Sequence, residues 1–334
     1  MIRTKIDYGI DLGTTNSAIS RMENGNIRII KSLDTQKDTT PSCIAVNQKG
    51  TLFVGDKAYL NYRSNSLKNL SNNTSFNSYI EFKRTMGTDK KYHSSFAGKD
   101  FSSEELSAEV LKRLKEYVQD ENISAIIVTV PAAFKNNQID ATRKAAQLAG
   151  FSHIEVLQEP IAASMAYGLE NMNKDGFWLV FDFGGGTFDT ALLKVEDGIM
   201  KVVDTEGDNY LGGKNLDFAI VDQLILPDIQ SRFSINNILS DDKRKTEFRN
   251  ALKFFAEEIK NNLSFNASHN IYVDPGDCGE DDEGEEIDID LTITQEELEQ
   301  VLTPVFQRAV DLSIKLIERN NLKGSDLESL ILVG

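Results

Sequence analysis

The sequence has few cysteines, few histidines and a deficit of basic residues, and each shortage excludes a class of protein. Its two cysteines, Cys43 and Cys278, are far apart, which favours reduced thiols over a disulfide framework or a metal site. The histidines at 93, 153 and 269 lack the spacing of metal ligands. With 36 Lys and Arg against 52 Asp and Glu, the net charge of -16 argues against a nucleic-acid or anionic-membrane surface.

Long apolar runs are also missing, since none approaches the roughly 20 residues that cross a bilayer. The first residues, MIRTKIDYGIDLG, lead directly into a predicted strand and leave no length for a signal or transit peptide. We therefore expect a cytoplasmic protein with no nucleic-acid or membrane partner. The final residues, LESLILVG, predict a buried strand followed by a single glycine, so we also expect a fragment of a longer protein.

A glycine-rich turn within residues 181–189, FDFGGGTFD, is the first feature that indicates a function. The apolar run FWLV before it is typical of a buried strand, and three successive glycines leave the backbone NH groups open to a ligand. Such NH groups bind anions, especially phosphate, and Asp182 beside them can hold a cation through water. The stretch therefore predicts a site for a magnesium-bound nucleotide.

The same plan occurs twice, because residues 6–30 correspond to residues 177–203. Each copy has an apolar strand, an aspartate (Asp11 or Asp182), a glycine two residues later, a polar turn, a second strand and an Asn-Gly or Asp-Gly hairpin tip. This repeat predicts two lobes of similar fold. If the lobes face each other, both turns and both aspartates close on one ligand. Asp189 replaces an alanine of the first copy, which indicates a role specific to one lobe.

Helical and strand patterns alternate along the chain and predict an α/β fold. The patterns predict a buried strand at 123–130 and helices at 102–119, 136–150, 245–264 and 294–321, the first and last opening with capping boxes at Ser102/Glu105 and Thr294/Glu297. The segment 277–290 has nine acids in fourteen residues and predicts a solvated hairpin or mobile loop. Calcium binding is the sharper alternative for this segment, but the ligand spacing of an EF-hand is absent.

Several segments occur in an order that is specific to one family. They are IDLGTTNSAI at 10–19, TPSCIAV at 40–46, FKRTMG at 82–87, VTVPAAF at 128–134, QEPIAASMAYGLE at 158–170, FDFGGGTFDTALL at 181–193, GDNYLGGKNLD at 207–217 and LILVG at 330–334. Through them the chain resembles the nucleotide-binding domain of the DnaK-type heat-shock protein 70 chaperones over nearly its whole length. The resemblance implies an α/β, actin-like ATPase fold of two similar, ribonuclease H-like lobes with a nucleotide cleft between them.

The resemblance also implies domain boundaries and a mode of action. Lobe I covers 1–173, with core 1–36 and 112–173 and an inserted subdomain at 37–111, and lobe II covers 174–334, with core 174–214 and 292–334 and an inserted subdomain at 215–291. Hydrolysis of ATP would control a peptide-binding domain that this sequence does not contain. The implied partners are unfolded or extended peptides, a J-domain co-chaperone and a nucleotide exchange factor.

Site residues are implied position by position, with ATP or ADP and Mg²⁺ as the ligands. Phosphate would be held by Gly13, Thr14, Thr15 and Asn16 of lobe I and by Gly184, Gly185, Gly186 and Thr187 of lobe II, magnesium through its waters by Asp11 and Asp182, and the nucleoside by Gly212, Gly213, Glu257, Lys260, Ser264 and Gly334. Lys83 would reach the transferred phosphate, while Glu159 and Asp189 position the attacking water and the metal shell. The implied catalytic set is Lys83, Glu159, Asp182, Thr187 and Asp189.

Without the surrounding motifs, plainer interpretations of three of these residues stay open. Lys83 can be a surface lysine, Glu159 an acid favoured by a helix dipole, and Asp189 a hairpin acid. Two other functions also share the architecture. They are an actin-like filament ATPase and a sugar or glycerol kinase, and the kinase requires an acceptor site with a general base, for which no stretch of the sequence stands out.

Five positions depart from the family pattern. Asn261 replaces an arginine that stacks on adenine, which predicts a lower nucleotide affinity. Glu155 stands where a basic residue docks the J-domain, and Ile139 where an arginine links the ATP state to the peptide domain. Thr88 replaces a further arginine, and Lys214 replaces an acid after the double glycine. These changes predict altered coupling to co-chaperones with the hydrolysis residues intact.

Overall fold

The computed structural model describes residues 6–68, 77–168 and 175–334. The chain divides into two compact units: unit 1 comprises Met1–Tyr59, Asn77–Leu211 and Ala309–Gly334, and unit 2 comprises Leu60–Phe76 and Gly212–Arg308. The predicted lobe boundary at residue 173 and the last residues of the segment QEPIAASMAYGLE lie outside the described residues. Across these three ranges, no helix has the length and apolar character needed to cross a membrane.

The secondary structure alternates between strands and helices, as expected for an α/β fold. The strands are β1 (Tyr8–Leu12), β2 (Asn16–Glu23), β3 (Asn26–Ile30), β4 (Thr40–Pro41), β5 (Ile44–Val46), β6 (Leu52–Val54), β7 (Ser78–Tyr79), β8 (Lys91–Ser94), β9 (Lys99–Ser102), β10 (Ala125–Val130), β11 (His153–Gln158), β12 (Gly176–Phe183), β13 (Phe188–Glu196), β14 (Ile199–Asp208), β15 (Ser268–Val273), β16 (Ile289–Thr294) and β17 (Leu327–Val333). The helices are α1 (Asp56–Lys68), α2 (Ser103–Glu116), α3 (Asn136–Leu148), α4 (Glu159–Gly168), α5 (Gly213–Ile220), α6 (Leu226–Arg232), α7 (Asn236–Ser240), α8 (Asp242–Leu263) and α9 (Gln295–Arg319), with short 3-10 helices at Phe82–Thr85 and Gly324–Asp326 and a π-helical turn at Val221–Ile225.

The first large sheet of unit 1 has the strand order β11-β10-β1-β2-β3, with β4 also paired to β2. In its centre, β1 runs parallel to β10 and antiparallel to β2. Tyr8, Ile10 and Leu12 of β1 are buried in a core that α2 and α3 share. Because strand side chains alternate between faces, Asp11 lies on the opposite face, and it is exposed.

The second large sheet of unit 1 repeats this plan with the order β14-β13-β12-β17. Its strand β12 is antiparallel to β13 and parallel to β17, just as β1 is antiparallel to β2 and parallel to β10. The predicted internal repeat is therefore confirmed. Trp178 and Val180 of β12 pack in a cluster that includes Ile161 of α4, and Leu179 packs with Leu316 of α9, so both faces of this strand are covered, as the apolar run predicts.

Both predicted hairpin tips are present and have the backbone that their residues favour. Asn24 and Gly25 have φ values of 52° and 82°, and Asp197 and Gly198 have values of 51° and 74°. Two successive positive φ values define the type I′ turn, whose twist matches that of the flanking strands. The tips join β2 to β3 and β13 to β14.

The predicted helices are also confirmed, with ends that differ by a few residues. The Ser102 hydroxyl accepts a hydrogen bond from the Glu105 NH, and the Glu105 carboxylate accepts one from the Ser102 NH, which closes the capping box of α2. Thr294 and Glu297 make the same pair of bonds before α9. The acidic segment 277–290 forms a hairpin-like turn with an antiparallel bridge from Glu280 to Glu286, as one of its two predicted forms required.

Unit 2 is built around α8, which buries an apolar stripe that includes Phe248, Leu252, Phe255 and Ile259. An aspartate, Asp241, caps its first turn by accepting a hydrogen bond from the Arg244 NH. The hairpin of β15 and β16 packs against α8. The unit therefore has its own core of helices and a two-stranded sheet.

Candidate functional site

A cavity of about 600 Å³ lies in unit 1. It is lined by almost every site residue predicted in that unit, namely Asp11, Gly13, Thr14, Thr15, Asn16, Lys83, Glu159, Asp182, Gly184, Gly185, Thr187, Asp189 and Gly334. Gly186 belongs to the second turn but does not line the cavity. The remaining predicted residues, Gly212, Gly213, Glu257, Lys260 and Ser264, belong to unit 2.

The first turn, between β1 and β2, is closed so tightly that only glycine fits at its start. A Cβ added to Gly13 would overlap the Asn16 carbonyl oxygen. Ser42 supports the turn from outside, because its hydroxyl donates to the Gly13 carbonyl at 2.8 Å and its NH donates to the Thr15 carbonyl at 2.7 Å. These bonds use the carbonyl oxygens of the turn and hold its shape before any ligand arrives.

The second turn, between β12 and β13, has the same tight form and approaches the first. The Gly184 NH donates to the Thr187 carbonyl at 2.9 Å. A Cβ on Gly185 would lie only 2.6 Å from the Thr15 Cβ, so the missing side chain is what allows the two turns to come together. Residues of both glycine turns therefore line one cavity.

An aspartate is the second-to-last residue of the central strand in each large sheet. Asp182 of β12 is the direct cross-strand partner of Asp189 on β13, and Asp11 of β1 is the partner of Ala18 on β2. The Thr129 hydroxyl of β10 donates to the Asp11 carboxylate at 2.7 Å. The asymmetry noted in the repeat thus places one carboxylate on the first sheet and a directly opposed pair on the second.

Lys83 is buried in the short helix Phe82–Thr85, which excludes a surface lysine. Its ammonium donates to the Glu159 carboxylate at 2.7 Å. Glu159 is the first residue of α4, directly after β11, so the end of a strand and the start of a helix hold it in place. A buried charge needs a partner, and this pair supplies one to each residue.

The cavity contains more negative than positive charge, and the pKa values reflect this. Burial by itself lowers the pKa of Lys83, but Glu159, Asp11 and Asp189 reverse the effect and raise it. Burial raises the pKa of Glu159 in spite of Lys83, and Asp11 adds to the rise. Burial together with the neighbouring carboxylates raises the pKa of Asp182 to about 7, and burial with Glu159 raises that of Asp189 to about 6. The site therefore favours an added cation.

This charge excess predicts that Asp189→Asn stabilises the ligand-free chain in a pH-dependent way. The carboxyl titrates near 3.8 when unfolded and near 6 when folded, so its penalty is absent below about pH 4 and complete above about pH 6. In EDTA, we expect the variant to gain on the order of 3 kcal/mol over wild type at pH 8 and nothing at pH 4. Denaturant unfolding at the two pH values measures the difference, and an equal change at both would contradict the cause.

In unit 2, one of the predicted nucleoside residues, Lys260, pairs with a buried acid. The Lys260 ammonium of α8 lies 2.5 Å from the Asp217 carboxylate of α5, and Lys253 lies 3.8 Å from it. Burial raises the pKa of Asp217, while the two lysines oppose the rise. Ser264 donates its hydroxyl to the Lys260 carbonyl at 3.0 Å. The lysine is therefore a fixed part of the packing of α5 on α8.

Three supporting residues were not predicted from the sequence. Ser42 and Thr129 hold the first turn and Asp11, and Arg84 donates from Nη2 to the Gly186 carbonyl. Ser42 lies in the segment TPSCIAV, Arg84 in FKRTMG and Thr129 in VTVPAAF. Their place in these family-like segments could have marked the three residues as important, although nothing in the local pattern indicates a contact partner.

Four of the five positions that depart from the family pattern have ordinary local environments. Glu155 is exposed beside His153, 3.9 Å away, and Ile139 is half-buried on α3. Thr88 donates its hydroxyl to the Thr85 carbonyl at 2.8 Å, and Asn261 is exposed on α8. None of these four residues lines the 600 Å³ cavity.

The sequence itself also matches a known family. Residues 7–334 match the family model described as Hsp70 protein. Members of this family are chaperone ATPases with the actin-like ATPase fold, which agrees with the predicted α/β fold and with the two sheets of equal plan. The matched range covers both glycine turns and all the carboxylates of the cavity. The chain belongs to the Hsp70 family.

Proposed function

We propose that this chain binds Mg-ATP and hydrolyses it to ADP and phosphate, and that the bound nucleotide controls a peptide-binding domain. The observation that supports this best is the buried Lys83–Glu159 pair, which lines one cavity together with two glycine turns and three further carboxylates. Phosphoryl transfer requires mainly positioning and neutralisation of charge, and these groups can supply both.

The two turns would hold the phosphates of the nucleotide. Gly13 and Gly184 begin the turns, and a Cβ added to either would press on its own turn. At Gly13 the added Cβ would overlap the Asn16 carbonyl oxygen, and at Gly184 it would lie 3.2 Å from the Thr187 carbonyl oxygen. Backbone NH groups in such turns favour anions, and the hydroxyls of Thr14, Thr15 and Thr187 add donors. The lysine contributes the one positive side chain of the predicted set in unit 1.

The cavity fits a magnesium ion held through water. Among the described residues, no three potential ligands are close enough to hold a bare metal ion. Asp11 and Asp182 would bind the waters of the ion, because magnesium gives up its hydration shell reluctantly. Burial and the neighbouring carboxylates raise the pKa of Asp182, so a cation close to it would favour its charged form. When bound, magnesium supplies this positive charge and neutralises the phosphate oxygens.

In the hydrolysis step, a water would attack the terminal phosphorus, the bond to the bridging oxygen would break with its electron pair leaving on ADP, and a proton of the water would pass to an oxygen of the released phosphate. Glu159 and Asp189, which both line the cavity, would accept hydrogen bonds from the attacking water and so orient it. The Lys83 ammonium would donate to an oxygen of the transferred phosphate. The raised pKa of Lys83 keeps it charged for this role.

The finer assignments follow the same proposal. Gly212, Gly213, Glu257, Lys260, Ser264 and Gly334 are proposed to bind the nucleoside. We also propose extended peptides, a J-domain co-chaperone and an exchange factor as partners, in the cytoplasm. Membership of the Hsp70 family favours a chaperone ATPase over a filament protein or a sugar kinase.

Single-turnover hydrolysis of Mg-ATP tests the proposal, with and without an extended apolar peptide and a J-domain protein. We expect slow hydrolysis that the two partners accelerate together. Hydrolysis no faster than in buffer, at ATP concentrations that saturate binding, would overturn the enzyme assignment. A rate that neither partner changes would contradict the chaperone cycle and would agree with the unusual Glu155 and Ile139.

A further inference from the structure

A second, smaller cavity lies beside the carboxylates of unit 1. Its volume is about 10 Å³, close to the smallest space that holds one water molecule. Glu159, Asp182 and Asp189 line this cavity, and the same three residues line the 600 Å³ cavity. Thr205 of β14 lines only the smaller one. A water there would contact the three carboxylates from outside the 600 Å³ cavity.

The register of the second sheet explains why this space exists. Asp182 pairs with Asp189 across β12 and β13, and Ala191 pairs with Thr205 across β13 and β14. Because side chains alternate, these four residues share one face of the sheet. Ala191 has a small side chain, and it lines the smaller cavity together with Asp189. It therefore leaves room for a water beside the Asp189 carboxylate.

Two threonines, Thr190 and Thr205, line the smaller cavity, and their hydroxyl groups differ in their hydrogen bonding. The Thr190 hydroxyl donates to the Val180 carbonyl at 3.0 Å and is already used. The NH and carbonyl of Thr205 bond to Asp204 and Arg319, but its hydroxyl makes no hydrogen bond to any described residue. A water could donate to two of the carboxylates and accept from this hydroxyl. That gives the three hydrogen bonds typical of a buried water.

We propose that Thr205 is a positioning residue for ATP hydrolysis and acts on Asp189 through one buried water. The inference rests on the proposed ATPase function. The buried water holds one carboxylate oxygen of Asp189, so the other oxygen stays directed at the attacking water. A carboxylate that is oriented in advance does not have to reorganise during the reaction. Thr205 itself does not touch the nucleotide.

Thr205→Val and Thr205→Ser separate the hydroxyl from the shape of the side chain. Valine keeps the branched shape and removes the hydroxyl, while serine keeps the hydroxyl and removes a methyl group. For Thr205→Val we expect the single-turnover rate to fall about tenfold, the effect of losing one orienting hydrogen bond, with the Kd for Mg-ATP unchanged within about twofold. Thr205→Ser should keep both values within about twofold of wild type.

A residue that serves only packing would change stability or binding instead of this split between rate and affinity. Equal rates for wild type and Thr205→Val would overturn the inference, and so would equal losses in the valine and serine variants. If the valine variant does not fold, Thr205→Ala also removes the hydroxyl and adds no methyl group. Its single-turnover rate should fall about tenfold, as expected for Thr205→Val. A wild-type chain that binds but does not hydrolyse ATP would overturn the proposed function, and this inference with it.

Discussion

Lys83→Ala should lower single-turnover ATP hydrolysis by roughly 100-fold or more, while the Kd for Mg-ATP rises only modestly. Lys83 is the only positive side chain among the predicted site residues of unit 1, and its ammonium already lies 2.7 Å from Glu159. Alanine removes the donor for the transferred phosphate and leaves Glu159 without its ion-pair partner. Because the turns and their NH groups are unchanged, most of the phosphate binding should persist.

The same substitution has a cost for folding that must be separated from its effect on the rate. Removing one partner of a buried pair leaves the other charge uncompensated, which costs about 3–5 kcal/mol when that charge cannot be neutralised. Glu159 can take up a proton, since its pKa is already raised by burial, so the cost here should be smaller. The double variant Lys83→Ala/Glu159→Gln should recover stability without recovering hydrolysis.

A matched control lies in the same part of the chain. Lys91 is an exposed lysine of β8, and Lys91→Ala should change neither the rate nor the affinity by more than about twofold. Rapid-quench measurement of ADP formation gives the rates, and calorimetry gives the affinities. A Lys83→Ala rate within about threefold of wild type would remove Lys83 from the mechanism and with it the main support for the proposed ATPase.

The features that could be predicted from the sequence are those that local physics decides. The type I′ tips at Asn24-Gly25 and Asp197-Gly198 follow from residues that accept positive φ, and the capping boxes follow from side chains three residues apart. The repeat could be recognised because both copies have the same local pattern, a strand that ends in a phosphate-sized turn. The two glycine turns and their aspartates could therefore be predicted from the sequence.

Contacts between distant parts of the chain could not be predicted in this way. Lys83 and Glu159 are 76 residues apart, and Arg84 and Gly186 are 102 residues apart. Tertiary packing decides such pairs, and no local periodicity encodes them. The family resemblance pointed to Lys83 and Glu159 as separate residues, but only the fold shows that they share a hydrogen bond.

The acidic segment 277–290 is another case in which the sequence pattern does not reveal a contact. Composition predicts a solvated stretch, and most of its acids are exposed. Asp281, however, is buried and accepts hydrogen bonds from the backbone NH groups of Ser234, Glu283 and Glu285, while Ile287 is buried beside it. Those bonds hold the pKa of Asp281 below its usual value. One acid of the segment therefore organises the turn, which a count of charges does not reveal.

Gly185→Ala should weaken Mg-ATP binding by at least about tenfold, in contrast to the lysine variant, which should lose rate. The substituted Cβ would lie 2.6 Å from the Thr15 Cβ, closer than real carbon contacts allow, so one of the two turns has to move. Gly185 has no positive φ that would itself exclude alanine, so the effect comes from the approach of the turns. The NH groups of both turns then lose the arrangement that would hold the phosphates.

Gly324→Ala is the matched control, because a Cβ there meets no atom within 4 Å and its backbone is also free of positive φ. Its Kd for Mg-ATP should stay within about twofold of wild type. Calorimetry with ADP and with inorganic tripolyphosphate locates any loss in Gly185→Ala. A loss of similar size for tripolyphosphate means that the damaged contacts are those to phosphate. Unchanged affinity for all three ligands would show that this turn does not bind phosphate, and the nucleotide site would have to be sought elsewhere in the chain.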